Sequence, residues 1–555
     1  MTNKKKVLLV SEAHYLASGF GTYSKQILRR LQATGKYELA EFASYGKSSA
    51  AKDTDWLFYA NMPEDGSPEQ AEYNRHGVHQ FGVWRFDRVC LDFKPDIVLC
   101  YREPWMDMWI KDSPLRPYFH WIWMPTVDSA PQRQEWINGF AECDALFAYS
   151  EFGVKVLKNQ GKDQVNVIGC ASPGIEPSVY VPVPDKRQHR ENLGIDPDCF
   201  IVGTVMRNQK RKLFFELMKA FRIFLDNAPP EVANKTYLYL HTSYPEGNGW
   251  DIPEGIMENG LGGKVMTTYI CRNCQKFSCQ LFKDALTWCG HCKALSCVCP
   301  TVAFGLSIED LVQVYNVFDL YAQYAICEGF GMPQVEAAAC GVPIAATNYS
   351  AMEDVVANTQ GYPVPVRTFF RELETNAERA YPDNQAMSEI MMEFFTNTPA
   401  YRMKKSIAAR QGAVTRYDWD DTAKQWENYI DNYTPVGKQG KWDSPPSFPY
   451  IPEARPENFS NNAEFVHWLF KEMLREPERI HKEEGSRLMR DLNFGARITY
   501  GDVSPLDQQK VFDLYKNRAL NKLNAEQVRV GMLPLPNVPY VVDAHNRRRP
   551  SNGAS

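Results

Sequence analysis

Two glutamates eight residues apart stand in a stretch able to bring both carboxylates to one place. Glu328 and Glu336 lie in CEGFGMPQVEAAACGVPIAATNYSAMED, residues 327–354. On an unbroken helix this spacing makes an ordinary solvated face. Here Gly329 and Gly331 permit tight, open backbone, and Pro333 can take a first helical position, where its missing N–H costs nothing. A short helix, Gln334–Cys340, follows with Gly341 as its stop. The apolar runs Leu320–Ile326 and Val342–Ala346 read as buried strands on either side. Such a strand–loop–helix–strand unit leaves free backbone N–H groups and a positive helix end toward a crevice, which suits an anionic or hydroxyl-rich ligand.

A second constellation is made of cysteines. Cys271, Cys274, Cys289 and Cys292 form Cys-x2-Cys, fourteen residues, then Cys-x2-Cys. Two turns that each give two thiolates suit tetrahedral zinc, as in a zinc ribbon. Four thiolates leave no open position, so a zinc held here is structural. Each half continues to a third cysteine, Cys279 and Cys297, which either extends the site or packs as a small hydrophobe; packing is the plainer reading. Arg272, Lys276, Lys283 and Lys293 make the insert basic. That fits a nucleic-acid or partner contact, and it fits a simple folding staple equally.

The pattern EGFGMPxxEAxxxGxP resembles the Glu-x7-Glu signature of retaining, nucleotide-sugar-dependent glycosyltransferases with the two-domain GT-B fold, glycosyltransferase family 4 in particular. The resemblance covers about Lys5–Tyr433, the cysteine-rich insert excepted. It implies an α/β chain of two Rossmann-like domains facing a cleft, with a nucleoside-diphosphate sugar as donor and a UDP-sugar favoured. Glu336 would accept hydrogen bonds from ribose hydroxyls, while Glu328 and Phe330, Gly331, Met332 and Pro333 would face the sugar. Arg207 and Lys212 match the family's Arg-x4-Lys pair. Two fixed cations would then stabilise the departing diphosphate in place of a catalytic metal; a solvated basic loop is the bland alternative for RNQKRK. Retention would come from front-face attack, the departing phosphate taking the acceptor proton, so no side-chain base is named. The one Asp-x-Asp, Asp53–Asp55, reads as a surface turn.

Two further places take meaning from the same resemblance. Asp128 follows the strand His120–Met124, beyond its carboxyl end, where open α/β sheets put their sites. A helix cap or Asx-turn fits as well, and some family members carry a carboxylate or histidine here that faces the reacting sugar. Gly19, Gly21 and Thr22 sit in the loop between the strand Val7–Val10 and a helix. Such a turn suits close approach to a phosphate, a plain strand–helix turn is equally compatible, and the family's loop at this place faces the donor phosphates.

The elements that must position these groups follow from pattern. At 555 residues the chain should hold two large units and additions. Apolar content of 44% with 13% aromatics supplies their cores, and a net charge of −5 gives no global argument for nucleic acid or anionic membrane as a partner. No stretch approaches the roughly 20 apolar residues of a membrane span. The basic start with four apolar residues is too short for a signal-peptide core. Seven of 14 cysteines crowd into 271–299, which speaks for a reducing, cytoplasmic setting rather than a disulfide framework. The expected organisation is an N-terminal Rossmann-like acceptor domain at 1–182 and a nucleotide-sugar donor domain at 183–415. A zinc ribbon at 268–300 interrupts the latter, and a cross-over helix at 416–434 closes it. A linker at 435–458, a helical appendage at 459–535 and a disordered tail at 536–555 complete the chain.

Three other readings stand beside this one. The same chemistry could act on a modified DNA base, the zinc ribbon aiding nucleic-acid binding. A non-catalytic, zinc-stabilised GT-B scaffold is the second, and the joint presence of Arg207, Lys212, Glu328 and Glu336 argues against it. A nicotinamide-dependent dehydrogenase fails on the missing Gly-x-Gly-x-x-Gly turn after the first strand. The sequence leaves open the sugar, the acceptor and the oligomeric state.

Overall fold

The computed structural model describes residues 4–434, apart from 52–53, 114 and 302, together with Trp442. The expected linker, helical appendage and tail therefore lie outside the described residues, Trp442 excepted, as does Asp53 of the Asp-x-Asp turn. The described chain is α/β, with largely parallel sheets, and divides into two compact units.

The first unit comprises described residues of Met1–Leu16 and Thr34–Trp121. Its strands are β1 (Lys5–Glu12), β2 (Tyr37–Ser44), β3 (Leu57–Ala60) and β4 (Ile97–Cys100), in the order β3-β2-β1-β4. All run parallel, with Val7 opposite both Leu39 and Ile97. Burial of Val7–Ser11 on both faces of the sheet explains why β1 reads as one apolar run rather than an alternation.

The second unit comprises Ala17–Ala33 and Ile122–Thr434. Strand β5 (His120–Trp123) pairs in parallel with β6 (Ala145–Ala148) through Ile122 and Ala145, and β6 pairs with β7 (Val167–Cys170). Ser150 caps the helix Glu151–Gly161 by accepting from the Gly153 N–H at 3.1 Å. A nine-stranded sheet follows. Its parallel strands are β8 (Phe200–Val205), β9 (Thr236–His241), β10 (Val265–Cys271), β14 (Leu320–Gln323), β15 (Ile344–Thr347) and β16 (Tyr362–Val364).

The cysteine-rich insert is an extension of this sheet. Strands β11 (Phe277–Leu281), β12 (Leu286–Trp288) and β13 (Leu295–Val298) lie between β10 and β14 in the chain. Both β11 and β13 pair antiparallel with β10, and β12 pairs with β13 at the sheet's end. A hairpin of β17 (Val366–Arg371) and β18 (Glu378–Pro382) and the closing helix Trp419–Asn432 complete the described chain. All 14 cysteines are free thiols, and no helix of the described residues is long and apolar enough to cross a membrane.

Several boundaries differ from expectation for local reasons. The strand before Glu328 ends at Gln323, because the segment 324–326 leaves the sheet to bond with 211–213. Gly19 and Gly21 stand in the first turn of the helix Gly19–Ala33 and not in a loop before it. The helix after Gly331 begins at Met332 and ends at Ala339.

Candidate active site

Glu328 is 4% exposed, and a buried carboxylate is tolerated only with partners. It has four. Lys212 Nζ and Gln323 Nε2, the latter at 2.6 Å, donate to Oε1, while Arg211 donates to Oε2 at 2.8 Å. Its backbone N–H reaches Ser350 Oγ at 2.9 Å. Backbone pairing creates the meeting: Leu213 N–H donates to Tyr324 O, Ile326 N–H donates to Arg211 O, and Lys212 bridges Ala325. Burial, reinforced by the Arg211 charge, pulls the Lys212 pKa well down. The Glu328 carboxylate in contact with it is what favours the ammonium form.

Arg207 does not join this cluster. Its side chain is 52% exposed and donates to Glu246 over 2.7 Å, and Glu246 also receives Ser243. The second cation at Glu328 is Arg211. The sequence signal for it was present in the run Lys210–Arg211–Lys212 but was submerged by the spacing that selected Arg207.

Between the two glutamates the backbone is shaped by its glycines. A Cβ at Gly329 would lie 2.5 Å from Thr126 Cγ2. Gly331 has φ of 83°, a left-handed conformation, and precedes the helix Met332–Ala339, whose first turn holds Pro333. Phe330 is buried edge-on to Tyr417 at 5.4 Å. Gln334 folds back to donate to Phe330 O at 2.7 Å. Glu336 lies one turn further and is buried; Tyr180 Oη donates to one oxygen at 3.0 Å and Tyr315 Oη to the other at 2.6 Å. Burial raises its pKa and the two phenols oppose that rise. Nothing in the sequence marked these tyrosines.

Asp128 joins the neighbourhood of Glu328 through the residue before it. Asp128 Oδ1 accepts from Arg379 at 2.9 Å and from Ser129 at 2.8 Å, and Cys327 Sγ lies 3.1 Å from Oδ2. Burial would raise the Asp128 pKa, but Arg379, Ser129 and Cys327 outweigh it and hold the carboxyl below its usual value. Arg379, on β18, also grips Glu372 at 2.6 Å. Strand alternation cannot announce a buried arginine, so Arg379 was invisible in the sequence.

The first turn of the helix Gly19–Ala33 approaches the helix Met332–Ala339. A Cβ on Gly19 would lie 3.9 Å from Met332 Sδ. The Gly21 N–H is taken by Ser18 Oγ at 3.0 Å, and the Thr22 N–H by Ser18 O at 2.9 Å.

The second candidate centre is the cysteine cluster. The sulfurs of Cys271, Cys274, Cys289 and Cys292 all lie within 4.8 Å of one another. Cys271 and Cys292 are 3.5 Å apart, and Cys274 and Cys289 are 3.7 Å apart. A zinc tetrahedron with bonds of about 2.3 Å has edges of about 3.8 Å, so the donor set fits. Backbone N–H groups of Cys274 and Cys292 point at Cys271 and Cys289, each at 3.4 Å, which favours thiolates. Cys279 and Cys297 are buried and are not among these four donors; Cys297 packs against two of them, Cys271 and Cys289, together with Tyr269 and Cys299.

Comparison with known proteins agrees with the geometry. Residues 300–372 match the family described as "Glycosyl transferases group 1". A D-inositol 3-phosphate glycosyltransferase of Stackebrandtia nassauensis is 25% identical over 218 residues, 39% of this chain and 42% of that protein. Its namesake from Rhodococcus jostii is 27% identical over 221 residues, 39% of this chain and 40% of that protein. The chain therefore spans less than half the length of either relative. Sucrose-phosphate synthase from Thermosynechococcus elongatus shares the fold with a TM-score of 0.56 at 16% identity, over 77% of this chain and 98% of that one. Anabaena HepE, solved with UDP and glucose, does so with a TM-score of 0.52 at 14% identity, over 77% and 99%. Residues 300–372, which hold both glutamates, thus match the group 1 glycosyl transferase family, within an α/β chain of GT-B fold.

Proposed function

We propose that this chain is a retaining, family 4-like glycosyltransferase that moves a sugar from a nucleoside-diphosphate sugar, a UDP-sugar by preference, to an acceptor hydroxyl. The observation that carries the reading is the buried Glu328–Lys212 pair, with Arg211 on the second carboxylate oxygen. A buried ammonium tied to a carboxylate is held in one place and needs no reorganisation when negative charge develops beside it. The leaving diphosphate meets Lys212 and Arg207, Arg207 exchanging Glu246 for phosphate. Glu328 and the backbone of Phe330–Pro333 bound the sugar, Glu336 meets the ribose, and Asp128 lies toward the reacting sugar. Gly19, Gly21 and Thr22 approach the donor phosphates. The departing phosphate takes the acceptor proton.

The organisation follows the same reading: acceptor domain 1–182, donor domain 183–415 with its insert at 268–300, and cross-over helix 416–434, in a reducing cytoplasm. The four cysteines would hold a structural zinc that ties β10 to its antiparallel additions. The cations, not a divalent ion, carry the leaving-group charge.

The test is release of nucleoside diphosphate from a panel of nucleotide sugars, with the product anomer assigned by NMR. The reading expects one donor to be turned over with retention, unaffected by EDTA while zinc stays bound. Inversion, or loss of turnover in EDTA with zinc and fold intact, would overturn the mechanism.

A further inference from the structure

The outward side of the cysteine-rich insert has an unusual composition for its geometry. In a half-buried antiparallel pair the inner side chains are apolar and the outer ones polar. On β12 and β13 the inner residues, Thr287 and Cys297, are buried opposite each other. The outer ones should be polar and are not. Trp288 is 64% exposed, Leu295, brought opposite it by a register shift between Thr287 and Trp288, 49%, and Leu286 46%. Strand β12 ends the order of the nine-stranded sheet, so this apolar patch sits at a sheet edge with no strand beyond it among the described residues. Contiguous exposed apolar surface of this kind marks contact with something else.

Charge narrows what that is. Residues 268–300 carry Arg272, Lys276, Lys283 and Lys293 against the single carboxylate of Asp284, in a chain whose net charge is −5. All four cations are exposed. Arg272 and Lys276 lie in or next to the first Cys-x2-Cys turn and Lys293 next to the second, so the four-cysteine cluster holds them beside the apolar pair of strands. A second copy of the chain would bring like charges together. A single-stranded nucleic acid would reward Trp288 by stacking and leave both leucines without a partner. An anionic lipid surface uses every group: tryptophan and leucines enter the headgroup boundary and the cations rest against lipid phosphates.

We infer that the outer face of β12 and β13, with the cations of the two cysteine turns, docks the protein on an anionic lipid surface. The inference stands apart from the sugar-transfer reading, because docking is read without donor or acceptor. The experiment is flotation of the full, zinc-loaded chain with vesicles of phosphatidylcholine alone or with about one-third phosphatidylglycerol. Binding to the anionic vesicles only, falling with added salt, is expected. Trp288→Ser with Leu295→Ser should weaken it by about tenfold or more, as should Lys276→Ala with Lys293→Ala. Trp288→Tyr should retain most of it. Zinc content and thermal midpoint, unchanged in all variants, show that the insert is intact. No flotation, or equal flotation of the Trp288→Ser, Leu295→Ser protein, would overturn the inference. Retention of a single-stranded oligonucleotide in place of vesicles would overturn it in favour of a nucleic acid.

Discussion

The Arg379 guanidinium donates to the Asp128 carboxylate at 2.9 Å and lies 2.9 Å from the sulfur of Cys327, the residue before Glu328. One buried cation therefore joins the segment after β5 to the loop that presents the principal carboxylate. The hairpin is held there twice more, by Ala380 N–H to Ile326 O at 3.0 Å and Glu378 N–H to Ala130 O at 2.9 Å.

This pairing makes an acid-dependent contribution to stability. The folded Asp128 pKa lies below its ordinary value, so its stabilisation is complete above the unfolded-state pKa of about 3.9 and is lost as pH falls through the lower folded value. Asp128→Asn should be less stable than the parent by about 1–3 kcal/mol near neutrality. The difference should shrink below about pH 4. Urea denaturation at both pH values checks this, and a gap that does not change with pH would refute it.

Gly329→Ala should damage the site more than its small size suggests. The added methyl would lie 2.5 Å from Thr126 Cγ2, so either the Thr126 side chain or the loop must shift. A loss of about 1–3 kcal/mol in stability is expected from such overpacking, with turnover falling further than stability. Denaturation midpoints and initial rates measured on the same preparation separate the two.

For Tyr315→Phe, one donor to the Glu336 carboxylate disappears while the ring and its packing remain. If Glu336 meets the donor ribose, KM for the nucleotide sugar should rise by about five- to tenfold, equivalent to about 1–1.4 kcal/mol, with kcat little changed. Steady-state kinetics decides, and an unchanged KM would remove Glu336 from the donor site.

The cysteine cluster makes a sharper prediction. Cys274→Ser or Cys289→Ser should abolish stoichiometric zinc, whereas Cys279→Ser should keep it, since Cys279 lies outside the four-sulfur group. Native mass spectrometry of the purified variants reads this directly.

The parallel strands and the Glu328–Glu336 unit were legible because apolar runs and Gly/Pro punctuation report local backbone preference. The four-cysteine donor set was legible because ligand spacing within a turn is also local. Arg379, Tyr180 and Tyr315 were not, because each reaches its carboxylate across the fold from a stretch without its own chemical signature, and Arg211 was hidden within a basic run whose spacing nominated Arg207. Arg207 shows the converse. Its spacing to Lys212 nominated it, yet the structure pairs it with Glu246, outside the Glu328 cluster. The inverted polarity of β12 and β13 appeared only once strand pairing showed which side was buried.

The central claim is that Lys212, fixed against Glu328, carries with Arg207 the charge released when the sugar leaves its diphosphate. The most direct measurement is the initial rate of nucleoside diphosphate release by Lys212→Met, compared with the parent at saturating donor and equal thermal stability. The account predicts a fall of about 100-fold or more, as for loss of a preorganised transition-state contact. A stably folded Lys212→Met protein that releases diphosphate within about twofold of the parent rate would contradict it.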